Sequence, residues 1–220
     1  MIDKICDKLI KRIRAKMPEV DDERAEVIKY GLELIIGEVP KFFITLCIAW
    51  IFGVFKYTLI TILIVLPYRL SAGGLHMKTH LGCILGTNLF YVGSAFISKY
   101  IVFPGLLTKW IFILGVLIFS SIMIALYAPA DTENIPILQK KVRKNKKIKS
   151  YIAILFMVVL SIIVKDNVIS NICIIGMLIQ SINISKLAYS IFKLKFGYLE
   201  YIKDEKNAFS IFIKNKEGFL

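Results

Sequence analysis

The chain has 220 residues, 57% of them hydrophobic, and a mean hydropathy of +0.68. Because soluble domains are about 45–50% apolar, this excess excludes an ordinary soluble protein and predicts one integral membrane unit. The formal net charge of +13 is concentrated near the N-terminus, in residues 140–149 and after residue 185. In a membrane protein such basic stretches are interpreted as positive-inside segments, and no nucleic-acid partner is predicted.

Residues 2–17 have the pattern of a basic amphipathic helix. Apolar side chains recur there at helical spacing, and lysine and arginine residues occupy the other face. Such a helix lies on a membrane surface or packs on a partner helix, so a homodimer contact through it stays open. Pro18 ends the pattern, and the acidic cluster in residues 19–23 suits the first turn of a second helix that runs toward Gly37 and Pro40.

Continuous apolar stretches follow, and they favour membrane-spanning helices. They cover residues 39–55, 57–66, 84–102, 110–127, 151–164 and 168–184. A helical crossing takes about 17–25 residues, so the second stretch, which stops before Pro67, needs flanking residues to cross or is re-entrant. The predicted fold is all-α and polytopic, with about six transmembrane helices in addition to the N-terminal amphipathic helices.

The distribution of charge predicts how this unit is organised. A single domain over residues 1–220 is expected, with interfacial helices in 1–38, the membrane region in 39–184 and a cytoplasmic tail in 185–220. The basic loop 129–149 and the N-terminal helices are placed in the cytoplasm of a bacterial cell. With six spans and both ends of the chain in the cytoplasm, residues 67–83 lie at the cytoplasmic end of the second and third spans.

The segment RLSAGGLHMKTHLGC, residues 69–83, holds both histidines of the chain and one of its four cysteines. A thiol becomes a nucleophile when a base or a cation lowers its pKa. His80 and Cys83 are neighbours on a helix, about 5–6 Å apart between Cβ atoms. His76 and Cys83 would stand about 10 Å apart on a straight helix, so that pair works only if the chain bends. The spacing leaves both histidines, and a plain structural role, open.

Metal and cofactor chemistry is not predicted for this segment. His76 and His80 have metal-ligand spacing, but a third ligand at helical spacing is offered only by Cys83. No Cys-x-x-Cys pair occurs, so a zinc ribbon or a redox dithiol is not expected either.

Two stretches resemble a known family. The first is R-x-x-A-G-G-x-H-x-K-T-x-x-x-x-C, formed by Arg69, Ala72, Gly73, Gly74, His76, Lys78, Thr79 and Cys83. It resembles the signature of the accessory gene regulator B (AgrB) family. The second, YAPADTENIPI at 127–137, is similar to that family's segment after its fourth apolar span, where a lysine-rich loop also follows. The span pattern matches too, so the resemblance covers nearly the whole chain.

The resemblance implies a membrane thiol protease of quorum sensing. AgrB proteins cleave a propeptide, AgrD, and yield a cyclic autoinducing peptide through an acyl-thioester on the catalytic cysteine. The family's catalytic pair falls on His76 and Cys83, which makes His80 a spectator or a supporting group. The expected activity is therefore that of a cysteine endopeptidase in the cell membrane, with its active site facing the cytosol and with no cofactor.

Supporting roles can also be assigned to residues near this pair. Arg69, Gly73 and Gly74 are candidates to stabilise the oxyanion, although Arg69 could instead bind a phospholipid headgroup. Thr79, Asn88 and Asp131 are candidates to orient His76. The cations expected to hold an acidic segment of the propeptide, unless they serve topology or lipid contact alone, are Lys140, Lys141, Arg143, Lys144, Lys146 and Lys147.

A second class of function remains in view. A non-catalytic membrane transporter or peptide-export accessory protein would share the composition and the spans. Transporters favour ionisable residues buried in the middle of their spans, and the apolar stretches here contain almost none. A combined role in processing and export stays open.

Overall fold

The computed structural model describes residues 2–75, 77, 79–132 and 136–203, and every helix or strand element within them is an α-helix. The helices are α1 (Ile2–Lys16), α2 (Asp22–Ile51), α3 (Phe55–Ala72), α4 (His80–Tyr100), α5 (Leu106–Tyr127), α6 (Lys140–Ile163), α7 (Asn167–Asn183) and α8 (Lys186–Ile191). The predicted all-α class is confirmed for these residues.

The N-terminal helices form as the sequence predicts at their start. The helix α1 ends at Lys16, before Pro18, and the Asp21 carboxylate accepts a hydrogen bond from the Arg24 amide at the beginning of α2. The end predicted for α2 near Pro40 was wrong, because the helix continues to Ile51. Proline removes only one helical hydrogen bond, and the apolar residues beyond it continue the helix. The interfacial segment and the first apolar stretch are therefore one rod.

The helix α3 also continues past a proline. The stretch predicted to stop before Pro67 lies inside an 18-residue helix, and the Ser71 hydroxyl donates to the Pro67 carbonyl within its last turn. Three described helices are long and apolar enough to cross a membrane: Phe55–Ala72, Leu81–Tyr100 and Leu106–Tyr127. The helix α7 is apolar but shorter, at 17 residues. A count of six spans therefore remains a prediction.

The basic segment predicted as part of a loop is helical from residue 140 onward. Lys140–Ile163 form α6, whose first turns carry the lysine-rich run and whose remainder is apolar. The predicted loop 129–149 is thus confined to the residues before Lys140. The cations are held at fixed positions on a helix instead of on a flexible connection.

The helix α7 lies at the centre of the bundle and packs against α3, α4, α5 and α6. A buried chain of hydroxyl groups joins three of these helices. The Tyr68 hydroxyl lies 2.9 Å from the Ser181 hydroxyl, which donates to Ser120 at 2.8 Å. Because buried polar groups are costly without partners, this chain fixes how α3, α5 and α7 pack.

One end of the bundle, here called the site end, gathers the C-terminal ends of α3, α5 and α7 and the first turns of α4 and α6. The segments after α3 and α5 pair there as a short parallel bridge between Gly73 and Ala130. The Ala130 amide donates to the Ala72 carbonyl at 2.8 Å, and the Gly74 amide donates to the Ala130 carbonyl at 3.0 Å. At the opposite end, Lys99 donates to the Gly53 carbonyl.

Candidate active site

Cys83 lies in the first turn of α4, at the site end. The Thr79 hydroxyl accepts the Gly82 amide at 3.1 Å and caps this helix. Since α4 begins at His80, the helix that carries Cys83 does not extend back to position 76. The cysteine is partly exposed and carries a free thiol.

A polar contact of the Cys83 sulfur comes from α2. The Lys41 ammonium donates to the Cys83 sulfur at 3.3 Å and to the Glu38 carboxylate at 2.5 Å. Lys41 is only 6% exposed. A cation next to a sulfur stabilises the thiolate form, which is the nucleophilic form of cysteine. The sequence analysis missed this contact, although a lysine among apolar residues is a signal for a functional group.

The predicted base lies outside the described residues. His76, and Lys78 of the same signature, fall in positions that the structure does not describe. His80 is the first residue of α4. The pairing of His76 with Cys83 therefore stays a prediction.

A cavity of about 310 Å³ opens beside Cys83. Its lining is mostly apolar and comes from α3, α4, α7, α8 and the segment between α3 and α4. Arg69 is its cationic residue, and the guanidinium lies 5.0 Å from the centre of the Phe90 ring. The buried Nη1 of Arg69 has no hydrogen-bond partner among the described residues. Arg69 therefore keeps an unused donor next to the thiol's cavity.

Gly73 and Gly74 shape the turn that leads away from α3. Both have positive φ, +77° and +144°, a backbone region that glycine adopts without the steric cost of a Cβ. Their amides are already used: Gly73 donates to the Arg69 carbonyl at 2.9 Å and Gly74 to the Ala130 carbonyl at 3.0 Å. In this arrangement neither amide is free for an oxyanion, so of the three predicted donors only Arg69 is left with one.

Two side chains of α7, which the sequence analysis missed, contact this turn. The fully buried Gln180 donates to the Gly73 carbonyl at 2.8 Å. The Asn183 amide nitrogen lies 3.0 Å from the position that a Cβ on Gly74 would take, and Asn183 also lines the cavity. The turn is thus fixed to the centre of the bundle, across more than 100 residues of sequence.

The candidates to orient the histidine have structural partners. Asp131 is 4% exposed, and its carboxylate accepts from Arg143 and from the Ile137 amide, each at 2.8 Å. Thr79 caps α4. Asn88 donates to the Ile84 carbonyl, and its buried Oδ1 has no hydrogen-bond partner among the described residues. Asp131 and Thr79 thus stabilise the fold at the site end.

The six predicted substrate-binding cations divide into two groups. Arg143 forms the ion pair with Asp131, Lys146 donates to the Leu70 carbonyl at 3.2 Å, and Lys147 donates to the Ala125 carbonyl at 2.5 Å. The two lysines thereby satisfy carbonyls in the last turns of α3 and α5. The exposed members are Lys140, Lys141 and Lys144.

Comparison with known proteins identifies the family. The family model described as Accessory gene regulator B matches residues 2–184, which include every site residue discussed above. The chain belongs to the accessory gene regulator B family. The AgrB signature found in the sequence is thereby confirmed as a mark of this membership.

Several AgrB relatives align over most of the chain. An AgrB-like protein of Listeria innocua is 32% identical over 199 residues, which cover 90% of this chain and 93% of the relative. An AgrB-like protein of Clostridium acetobutylicum is 25% identical, with 82% and 85% covered. The accessory gene regulator protein B of Staphylococcus aureus is 30% identical over 157 residues, with 71% and 80% covered. No solved structure matches the chain.

Proposed function

We propose that this AgrB protein is a membrane cysteine endopeptidase that cleaves an AgrD-like propeptide and releases a cyclic autoinducing peptide for quorum sensing. The observation that carries the proposal is the Cys83 thiol, in contact with a buried ammonium and at the edge of a cavity lined by Arg69. Family membership supports the substrate class, and the apolar helices support a place in the cell membrane.

The first chemical step forms an acyl-enzyme. His76 takes the proton of Cys83, and the sulfur attacks the carbonyl carbon at the cleavage point of the propeptide. The C–N bond breaks, the leaving amine takes the proton back from His76, and the N-terminal fragment stays on Cys83 as a thioester. Arg69 is the candidate to stabilise the negative oxygen that forms during the attack.

The second step closes the ring. A thiol or hydroxyl within the bound fragment attacks the thioester, gives a thiolactone or lactone, and returns the Cys83 thiol. Exchange between two thioesters changes little in free energy, so hydrolysis by water must be kept slow. The mostly apolar lining of the cavity supports this requirement, because it disfavours water around the acyl group.

The orientation of the site follows from charge. The lysine-rich start of α6 lies at the same end of the bundle as Cys83. Positively charged segments stay in the cytoplasm, so we place the site end in the cytosol and the bundle in the lipid bilayer of a bacterial cell.

A trapped acyl-enzyme tests the proposal directly. The ring-forming nucleophile of the propeptide is replaced by alanine, so that cyclisation cannot discharge the thioester. Intact-mass spectrometry should then show the protein heavier by the N-terminal fragment acid less one water, and hydroxylamine should remove the adduct. Cleavage of the altered propeptide by Cys83→Ala as fast as by the unaltered chain would contradict an acyl-thioester.

The exposed lysines of α6 give a prediction about substrate affinity. Changing Lys140, Lys141 and Lys144 together to glutamine should raise KM about 3- to 150-fold with little change in kcat, since exposed ion pairs contribute roughly 0.2–1 kcal/mol each. Steady-state cleavage assays measure this, and added salt should raise the KM of the unaltered chain toward that of the variant. Glutamine at Lys56 and Lys165, exposed residues at the opposite end, is the control. An unchanged KM would mean that these lysines serve membrane topology and do not bind the propeptide.

The transporter alternative has less support. The described residues with buried ionisable groups that bear on it, Lys41 and Asp131, lie at the site end and not midway along the helices. Both are paired with neighbouring side chains, which fits structural or catalytic roles.

A further inference from the structure

The contact between Lys41 and Cys83 joins two helices that are far apart in sequence. Lys41 lies on α2, and Cys83 lies in the first turn of α4, 42 positions further along the chain. Burying an ammonium group costs free energy unless an anion or several acceptors surround it. Around Lys41 the described partners are the Glu38 carboxylate and the Cys83 sulfur. The Glu38 side chain is 56% exposed, so solvent screens that pair.

How much this contact stabilises the buried ammonium of Lys41 depends on the protonation state of the sulfur. A neutral thiol is a weak acceptor and compensates little for the desolvation of a lysine. A thiolate carries a full negative charge and forms a charge-assisted hydrogen bond with the same ammonium. The buried position of Lys41 therefore favours the form of Cys83 that has lost its proton.

We infer that Lys41 is a catalytic residue of this protein: its ammonium holds Cys83 as a thiolate at the edge of the cavity, and Glu38 supplies the second counterion. Lys41 keeps all three of its protons throughout. The proton that Cys83 loses resides on His76, which returns it to the leaving amine in the proposed reaction. What the thiolate attacks rests on the proposed function, whereas the ion pair itself does not.

Alkylation of the full chain tests the pair without any propeptide. The chain is purified in detergent and treated with iodoacetamide at pH 7, and the Cys83 peptide is quantified by mass spectrometry. The thiolate displaces iodide, so the rate follows the thiolate fraction. Cys83 should react about threefold or more faster than free N-acetylcysteine amide.

Substitutions at Lys41 then assign the cause. Lys41→Met should slow alkylation of Cys83 at pH 7 to about the rate of the free thiol, and Lys41→Arg should restore most of the rate because the charge returns. Lys99→Met is the matched control, since Lys99 is a partly buried lysine that donates to the Gly53 carbonyl at the opposite end. Size-exclusion profiles and helical circular dichroism check that each variant is folded.

Two results overturn the inference. Alkylation of Cys83 no faster than that of the free thiol does so even if Lys41→Met fails to fold. An unchanged alkylation rate in a folded Lys41→Met variant does so as well. If Cys83→Ala still cleaved the propeptide while Cys83 of the unaltered chain reacted faster than the free thiol, the proposed function would fail and the pair would stand. If Cys83→Ala abolished cleavage and Cys83 reacted no faster than the free thiol, only the pair would be rejected.

Discussion

Cys83→Ala is expected to abolish cleavage of the cognate propeptide, to below detection. Removal of a catalytic nucleophile typically costs about 10⁴- to 10⁶-fold in kcat, because the steps after the attack no longer exist. His76→Ala should also lose cleavage, because the base that takes the proton of Cys83 is missing. His80→Ala should keep it. Co-expression of each variant with the propeptide, followed by gels and mass spectrometry of the fragments, measures all three.

The matched control for this series is Cys47→Ala, which removes an exposed thiol on α2 and should cleave normally. Survival of cleavage in Cys83→Ala would end the protease proposal. Loss in His80→Ala with survival in His76→Ala would instead assign the base to the neighbour on α4, at the i,i+3 spacing.

Gly73→Ala is expected to destabilise the site end strongly. A Cβ at Gly73 would lie 2.1 Å from the Ala130 carbonyl oxygen, and the backbone there has φ +77° and ψ −150°, a region that is essentially restricted to glycine. The clash involves backbone, so no side chain can move aside. Strain and overpacking together cost about 3 kcal/mol or more, which corresponds to a melting midpoint roughly 6–12 °C lower.

Gly115→Ala is the control for this change. Gly115 lies within α5, and a Cβ there would meet nothing within 4 Å. Alanine is favoured over glycine inside a helix, so this variant should melt at or slightly above the midpoint of the unaltered chain. Thermal unfolding in detergent, followed by circular dichroism at 222 nm, compares the two. Equal midpoints would mean that the Gly73–Ala130 bridge contributes little.

Local sequence patterns predicted the helices well, but not where two of them end. Pro40 and Pro67 were interpreted as boundaries, because proline removes a donor and clashes with the preceding turn. Both lie inside helices instead. The reason is tertiary: α2 packs against α1, α3 and α4, and α3 packs against α4, α6 and α7, and these contacts outweigh one lost hydrogen bond.

The candidate site could be predicted only where its residues are close in sequence. The Gly73–Gly74 turn and the thiol of Cys83 follow from one short segment. Lys41 and Gln180 reach that segment from α2 and α7, and no spacing rule connects positions so far apart. The expected cations were found as a group, but their division into exposed and capping members depends on the turn of α6 that each one occupies.

The two capping lysines of α6 have a consequence for how this protein tolerates change. Lys146 and Lys147 belong to the charged stretch that we propose to lie on the cytoplasmic side, and they also donate to carbonyls at the ends of α3 and α5 beside the glycine turn. Membrane insertion and the shape of the active centre therefore share the same two ammonium groups. A chain that loses both lysines would lose part of the charge that orients it in the bilayer. It would also lose the contacts at the ends of α3 and α5 near Cys83. Selection on topology alone would thus preserve part of the catalytic architecture.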